Sequence, residues 1–461
     1  AMVCDMVVDS AGRIDAYQFY PAIINSHARL TYTEVAAILA NTRGPEAQRR
    51  SDLVPHLLHL HEVYRALLKQ RAQRGAVDFE TTETQIVCDD NGRIEKIVPR
   101  MRTEAHKLIE EAMLAANVCA AEFITAGEHP SLFRVHEGPT PEKRVILQGY
   151  LKALGIGLHL SDDPAPGEYQ AIAQATQDRP DATQIHTMLL RSMQQAIYTA
   201  SNAGHFGLAY GAYTHFTSPI RRYPDLLVHR VIKALLGSRR YHLAPSEHTR
   251  VPEVRRGGKV AQRPAKPLSQ EMALWESVGA HCSANERRAD EASRDVEAWL
   301  KCRYMREHLG EEFSGTVSTV TSFGLFVTLD ALYVEGLVHI TELGGEYYRF
   351  DEARQELRGE RTGIRYAVGA RVRVQVSRVD LDGRKIDFRV VREGEGERPQ
   401  VRGDKVRAPG SAVEELASVR ATDRAVKTAS RSVRSKGAAE GGTRSRKPGA
   451  QRPSPKPRTR R

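Results

Sequence analysis

Residues 215–226 read HFTSPIRRYPDL. Pro224 and Asp225 suit the first turn of a helix, where a missing N–H costs nothing and an acid meets the positive helix end. Beyond them Leu226, Leu227, Val228, Val231, Ile232, Leu235 and Leu236 repeat as one buried face, which predicts a helix over 225–236. Two arginines therefore stand just before a helix N-terminus. Orphan backbone N–H groups, the helix dipole and a guanidinium fork converge there, as a phosphate requires. The alternative reading of Arg221 and Arg222 is a structural salt bridge.

Working outward, helical periodicity recurs over 31–41, 51–73, 104–123, 182–200 and 268–308. In the 104–123 segment Ala105, Leu108, Ile109, Ala112, Ala116 and Cys119 mark the buried side, with Glu104, Glu110 and Glu111 away from it. The 51–73 segment carries Leu53, Leu57, Leu58, Leu60, Val63, Leu67 and Leu68. Its His56, His59, His61 and Glu62 lack the HExxH spacing of a metal site and read as solvated positions. Residues 79–99 alternate as two strands about an Asp90-Asn91-Gly92 turn. An apolar strand opens the chain and a second follows over 14–20. A start inside a hairpin predicts that further sequence precedes it. Residues 237–266 lack apolar periodicity and read as an exposed insertion.

The pattern then changes to short strands. Segments 313–320, 324–329, 336–340, 371–379 and 385–391 predict a small Greek-key barrel of the OB type. After Val391 periodicity vanishes, and the composition predicts a disordered tail. The organisation expected is an α+β region over 1–308, an all-β barrel over 309–392 and a basic tail over 393–461.

Bulk properties narrow the function classes. The chain has 461 residues and 41% hydrophobic content, enough for two or three domains. It shows no long apolar run or signal-peptide core. Its five cysteines form no CxxC, which predicts a reducing, cytoplasmic setting without a zinc site or disulfide framework. Cys119 reads as core packing. From Glu393 onward 18 basic residues face 8 acidic ones, so nearly all of the +11 net charge lies in the tail. A polyanionic partner fits this pattern, with general solubility as the alternative.

Several stretches together resemble the RNase II/RNB exoribonuclease superfamily. They are SHARLTYTEV (26–35), AHKLIEEAMLAAN (105–117), LFRVHEGP (132–139), DATQIHTMLLRSMQQAIY (181–198), GHFGLAYGAYTHFTSPIRRYPDLLVHR (204–230) and NERRADEASRDVEAWLKC (285–302). The resemblance implies the C-terminal part of an RNB catalytic domain, acting processively from RNA 3′ ends to release nucleoside 5′-monophosphates. It places Arg221 at the scissile phosphate, with Arg222 as its supporting neighbour and Glu286 as a late active-site acid. It implies that Tyr32 shapes the 3′-end pocket, that Phe79 stacks on the terminal base, and that Glu110 or Glu111 reads the terminal ribose. The other readings are core packing for Tyr32 and Phe79, solvated helix charges for Glu110 and Glu111, and pairing of Glu286 with Arg287 or Arg288.

The barrel segment, with Phe323-Gly324-Leu325-Phe326-Val327 and Gly336-Leu337-Val338-His339-Ile340, resembles the S1 RNA-binding domain. Phe323, Phe326 and His339 then occupy the binding face, and Arg371, Arg373 and Arg378 add phosphate contacts; barrel core is the alternative for the two phenylalanines. The family holds Mg²⁺ through a DxxxxxDxDD cluster that this chain does not contain. Asp89-Asp90 and Asp162-Asp163 lack the companion carboxylates. The family's N-terminal cold-shock domains are absent too. This predicts RNA binding with little or no cleavage, in a truncated catalytic domain whose fold is compromised beside a complete barrel. The alternative is a non-catalytic RNA-binding module. Expected partners are single-stranded and structured RNA, and a ribosome or RNA-decay factors through the tail. The chain is expected to be monomeric and away from membranes.

Overall fold

Two apolar strands lead into a helix-rich region, and a 36-residue helix then runs from it to a closed barrel. The structure, a computed structural model, describes residues 1–78, 83–100, 102–179, 181–243, 270–352 and 354–391. Phe79, residues 244–266 of the expected insertion and the tail from 393 lie outside the described residues.

Strands β1 (Met2–Val8) and β2 (Ile14–Pro21) form an antiparallel hairpin. Helices α1 (Tyr32–Ala40), α2 (Pro45–Arg49) and α3 (Val54–Arg74) follow, then the hairpin β3 (Thr84–Cys88) and β4 (Ile94–Pro99). Helix α4 (Glu104–Ala126) is the centre of this region. Its Cys119, Ala120 and Ile124 are fully buried with Phe19 of β2, Phe216 and the later Leu227, Val231 and Trp275. Strand β5 (Phe133–Val135) pairs with β6 (Ile197–Thr199) across α5 (Pro141–Ala153), α6 (Pro166–Thr176) and α7 (Ala182–Ser192). Those three helices bury a second core around Leu147, Tyr169, Ile172, Ile185 and Leu189.

Helices α8 (Tyr223–Leu236) and α9 (Gln270–Met305) close the region. α9 packs Trp275, Val278 and Cys282 into the first core at one end, and Cys302 and Met305 into the barrel core at the other. Gly279 is required where α9 crosses β6, because a Cβ there would lie 2.7 Å from the Tyr198 carbonyl oxygen.

The barrel joins β7 (Glu312–Thr321), β8 (Gly324–Leu329), β9 (Glu335–His339), β13 (Arg371–Asp380) and β14 (Lys385–Val390), with β9 and β14 parallel. Between β9 and β13 sits a three-stranded sheet of β10 (Tyr348–Asp351), β11 (Glu356–Gly359) and β12 (Arg365–Ala367). Alternation sends Val317, Leu325, Val327, Val338, Val374 and Phe388 into the core. Gly324 sits at φ 155°, where a Cβ would lie 2.3 Å from the Val338 carbonyl oxygen.

Several expectations need correction. The helix expected over 182–200 stops at Ser192, and Ile197-Tyr198-Thr199 becomes a strand. Those three residues favour strand structure, and β5 supplies the partner ladder. Ile109 is exposed and Glu111 is buried, the reverse of the expected α4 face. Helix α3 supplies Arg71 opposite Glu111, so tertiary pairing overrides the hydrophobic count. His61 is half-buried against Glu104 rather than solvated. The start of the expected insertion is docked: Tyr241 and Leu243 pack on the first core. The helices α5 and α6 and the β10–β12 sheet lay outside the periodic segments recognised in the sequence.

Candidate RNA-contact site

Tyr223, Pro224 and Asp225 are the first three residues of α8, with Arg222 at the N-cap. Asp225 is fully buried. It accepts from the Ser218 backbone N–H at 2.7 Å and from the Arg222 Nε and Nη2 at 2.9 and 2.8 Å. A third-position acid thus reaches back over the helix start and satisfies the preceding turn. Arg222 is committed to this bidentate pair, so the salt-bridge reading describes it. Arg221 differs. It is exposed, and among the described residues its guanidinium has no hydrogen bond or ion pair. One arginine builds the turn and its neighbour is presented by it.

Buried polar groups hold the same turn from below. Asn117 of α4 accepts from the Phe216 and Thr217 backbone N–H groups at 2.9 and 3.3 Å and donates to the Tyr213 hydroxyl at 2.9 Å. His229 stacks on Phe216 and bonds its carbonyl at 2.8 Å. His215 shares a 2.7 Å hydrogen bond with the Tyr198 hydroxyl. Burial, followed by the charges of Arg222 and Arg134, pushes the His215 imidazole down to about 2. Burial likewise lowers His205 to about 3. Both rings are neutral at pH 7, so the layer under the arginines adds no competing charge.

Glu286 of α9 accepts from Arg134 Nη1 at 2.6 Å, and Arg134 lies 4.6 Å over the Tyr198 ring. Its partner is a residue of β5, not the adjacent Arg287 or Arg288. This pair joins α9 to the wall behind His215.

The N-terminal half of α4 carries the other group. Glu111 is buried and accepts from Arg71 Nη1 at 2.7 Å; Glu110 pairs with Arg102 and lies 3.5 Å from Arg71. Arg71 also lies 3.5 Å from Asp78, next to Phe79 in sequence. The solvated-charge reading fails for Glu111. Tyr32 begins α1 behind a Thr31–Glu34 capping box and stacks on His106 of α4, centroids 3.9 Å apart. At 43% exposure it is not a core residue. Arg29, Leu57, Leu60, Leu108 and Ile109 join it around a cavity of about 400 Å³. Tyr32, stacked on His106, thus sits against the helix that carries Glu110 and Glu111, and Asn117 ties the arginine turn to that same helix.

The barrel residues form a separate surface. Phe323 is 48% exposed, Phe326 is half-buried, and the rings meet edge to face at 6.2 Å. The core lies on Leu325 and Val327 instead. His339, exposed and opposite Gly324 in the ladder, bonds the Thr341 hydroxyl at 2.8 Å. The phenylalanines line a groove of about 730 Å³ with Arg294, Lys301, Arg384 and Lys385. Arg371 and Arg373 pair with Asp330 and Glu312, whereas Arg378 makes no hydrogen bond or ion pair among the described residues and acts on Asp380 by charge alone.

Magnesium needs several free oxygen ligands around one point. Asp78, Glu110, Glu111, Asp225 and Glu286 each face an arginine. Among the described residues no group of three or more His, Cys, Asp or Glu side chains is placed to hold a metal ion. These residues do not fit a magnesium centre. Asn117, Arg71, Arg134, Tyr198 and His106 escaped the sequence reading, because each takes its role from a partner on another element and a pairing of that kind leaves no periodic signal.

Comparisons with known proteins agree with this architecture. The RNB domain model matches residues 1–238 and the S1 RNA binding domain model residues 307–390. Ribonuclease R of Escherichia coli is 46% identical over 390 residues, covering 85% of this chain and 46% of that protein. Ribonuclease R of Vibrio cholerae is 44% identical over 426 residues, covering 90% and 50%. The chain spans about half the length of the curated relatives it matches. Among solved structures, the apo form of Mycoplasma genitalium RNase R aligns with a TM-score of 0.72 at 26% identity, covering 85% of this chain and 57% of that one. The same protein in complex with ribose methylated single-stranded RNA gives the same values. Among the described residues no helix is long and apolar enough to cross a membrane.

Proposed function

This chain belongs to the RNB exoribonuclease family, and on that premise we propose that it is the RNA-gripping C-terminal portion of a ribonuclease R-type 3′→5′ hydrolase. The reading divides it into RNB residues 1–308, an S1 barrel over 309–392 and a basic tail from 393. One observation carries it: an exposed Arg221 just before α8, without a hydrogen bond or ion pair among the described residues, on a turn fastened by buried Asp225 and Asn117.

In this reading Arg221 neutralises a backbone phosphate, and Arg222 orients it from the Asp225 pair. Tyr32 and Phe79 bound the 3′-terminal nucleotide, Glu110 or Glu111 accepts from its 2′-hydroxyl, and Phe323, Phe326 and His339 stack or contact bases further along. Glu286 acts through Arg134. Both single-stranded and structured RNA are substrates for the grip, and the tail adds affinity for RNA or for a ribosome or decay factor. The protein works as a cytoplasmic monomer.

Arg221→Ala tests the reading. RNA affinity is expected to fall about tenfold, and the slope of log K against log salt to shrink by about 1, since one phosphate contact is lost. Unchanged affinity and slope would remove Arg221 from the interface.

Magnesium, when bound by a family member, supplies the activated water and offsets phosphate charge. The carboxylates described here are already spoken for by arginines, so this polypeptide alone is expected to trim RNA slowly or not at all. Mg²⁺-dependent shortening of an end-labelled RNA by the purified chain, lost in its Arg221→Ala variant, contradicts that. The second reading, a non-catalytic RNA-binding module, is favoured by the same pairing of carboxylates.

A further inference from the structure

The arginine turn and the acids of α4 are joined by a side chain to which no role has been assigned. Asn117 is fully buried. Its Oδ1 takes both the Phe216 and the Thr217 N–H, and its Nδ2 finds the Tyr213 hydroxyl. The amide is thus satisfied on both sides. A buried amide that accepts two consecutive backbone N–H groups fixes the path of that backbone, because leaving them unpaired away from water is costly.

Position on the helix gives the contact its meaning. Asn117 follows Glu110 by seven residues, two turns of α4, which places the two on nearly the same face about 10 Å apart along the axis. Glu110 and Glu111 are held at their end by Arg102 and Arg71. The arginine turn is held at the other end by Asn117. The opposite flank of the turn is fastened to its own helix, through Asp225 to the Ser218 N–H and Arg222. Without Asn117 the turn keeps its local shape and the apolar packing of Phe216 on α4, and loses its polar tether to that helix.

We infer that Asn117 is a positioning residue that sets the distance between the Arg221 phosphate contact and the Glu110/Glu111 ribose contact, with α4 as the ruler. This rests on the reading of Arg221 as a phosphate ligand. Asn117 does not touch RNA; it acts through the Phe216–Thr217 backbone.

The test uses the full chain and a 5′-fluorescein-labelled single-stranded oligoadenylate, with affinity read by anisotropy and folding by thermal melts. Asn117→Ala, which removes the acceptor, is expected to weaken binding about tenfold and to speed hydrogen exchange at the Phe216 and Thr217 amides. Asn117→Asp keeps the accepting oxygens and is expected to bind within about threefold of the parent. Tyr213→Phe removes only the partner of Nδ2. It should lower the melting temperature while leaving affinity unchanged, which separates positioning from plain stability. Adding Asn117→Ala to Arg221→Ala should cost no further affinity.

A folded Asn117→Ala chain that binds like the parent overturns the inference. So do additive losses in the double variant, or an equal affinity loss in Tyr213→Phe. If Arg221→Ala itself leaves affinity and salt slope unchanged, the phosphate reading fails first and takes this inference with it. If Arg221→Ala weakens binding and Asn117→Ala does not, only the positioning role fails.

Discussion

The arginine turn and the barrel face both present side chains to solvent, but by different means. Arg221 is held out by residues from α4 and α8, with a hydrogen-bonded layer from β6 beneath it. Phe326 is held out by strand alternation, with Leu325 and Val327 turned inward beside it, and Phe323 by the tight turn between β7 and β8. Placing a charge takes a buried polar scaffold drawn from distant segments. Presenting an aromatic ring takes only a strand of period two and the turn that leads into it.

Removing the scaffold should therefore do the greatest damage. Asp225→Ala leaves Arg222 without its partner and the Ser218 N–H without its acceptor, and breaking such a buried pair costs about 3–5 kcal/mol. Urea denaturation measures it; a loss below about 1 kcal/mol would mean the turn does not need its buried acid.

Acid should separate the two regions next. His205 and His215 are depressed to about 3 and about 2 in the folded protein, against about 6.5 unfolded. Between those values the unfolded chain binds more protons, so stability is full above about pH 6.5 and falls as pH drops, by up to about 1.4 kcal/mol per pH unit for each ring. His215→Asn should flatten that fall between pH 6.5 and 4 in a stability-against-pH series. An unchanged slope would show the ring is not held neutral.

The smallest structural effect belongs to the barrel. Phe323→Ala is expected to cost RNA binding about 1–3 kcal/mol and to leave the melting temperature within a degree or two, because the ring is half in water. A large melting shift would return Phe323 to the core. The same contrast predicts limited proteolysis of β1 and β2 before the barrel, since among the described residues that hairpin is a two-stranded sheet with open edges. Equal resistance of both regions would erase the difference.

The contrast also explains what could be read from sequence. Barrel strands were legible at nearly their observed ends, because Val317, Val374 and Val376 alternate with polar neighbours and turn residues bound each run. Helix α8 was legible from Pro224, Asp225 and the apolar repeat after them. The division of labour between Arg221 and Arg222 was not, because it depends on a buried Asp225 and on Asn117, some hundred positions away. Glu111 was misassigned for the same reason: its burial is set by Arg71 of another helix. Tyr198 was placed in a helix because its strand exists only beside β5.

Helix α9 imposes a constraint of phase. It runs unbroken for 36 residues, about 54 Å, with one end sunk in each core and a mostly exposed middle from Glu286 to Lys301. Each added residue in that stretch would advance the barrel by about 1.5 Å and swing it by about 100° around the axis. Indels there should therefore strain the seat of Ile86, Ile94 and Ile97 on the barrel core and the Asp295–Arg384 pair, and shift Phe323 and Phe326 relative to Arg221. Steps of seven or eleven residues come within about 20° of restoring the angle, and they move the barrel about 10 or 16 Å away. The length of this connector is thus a quantity of the machine, as fixed as the residues it joins.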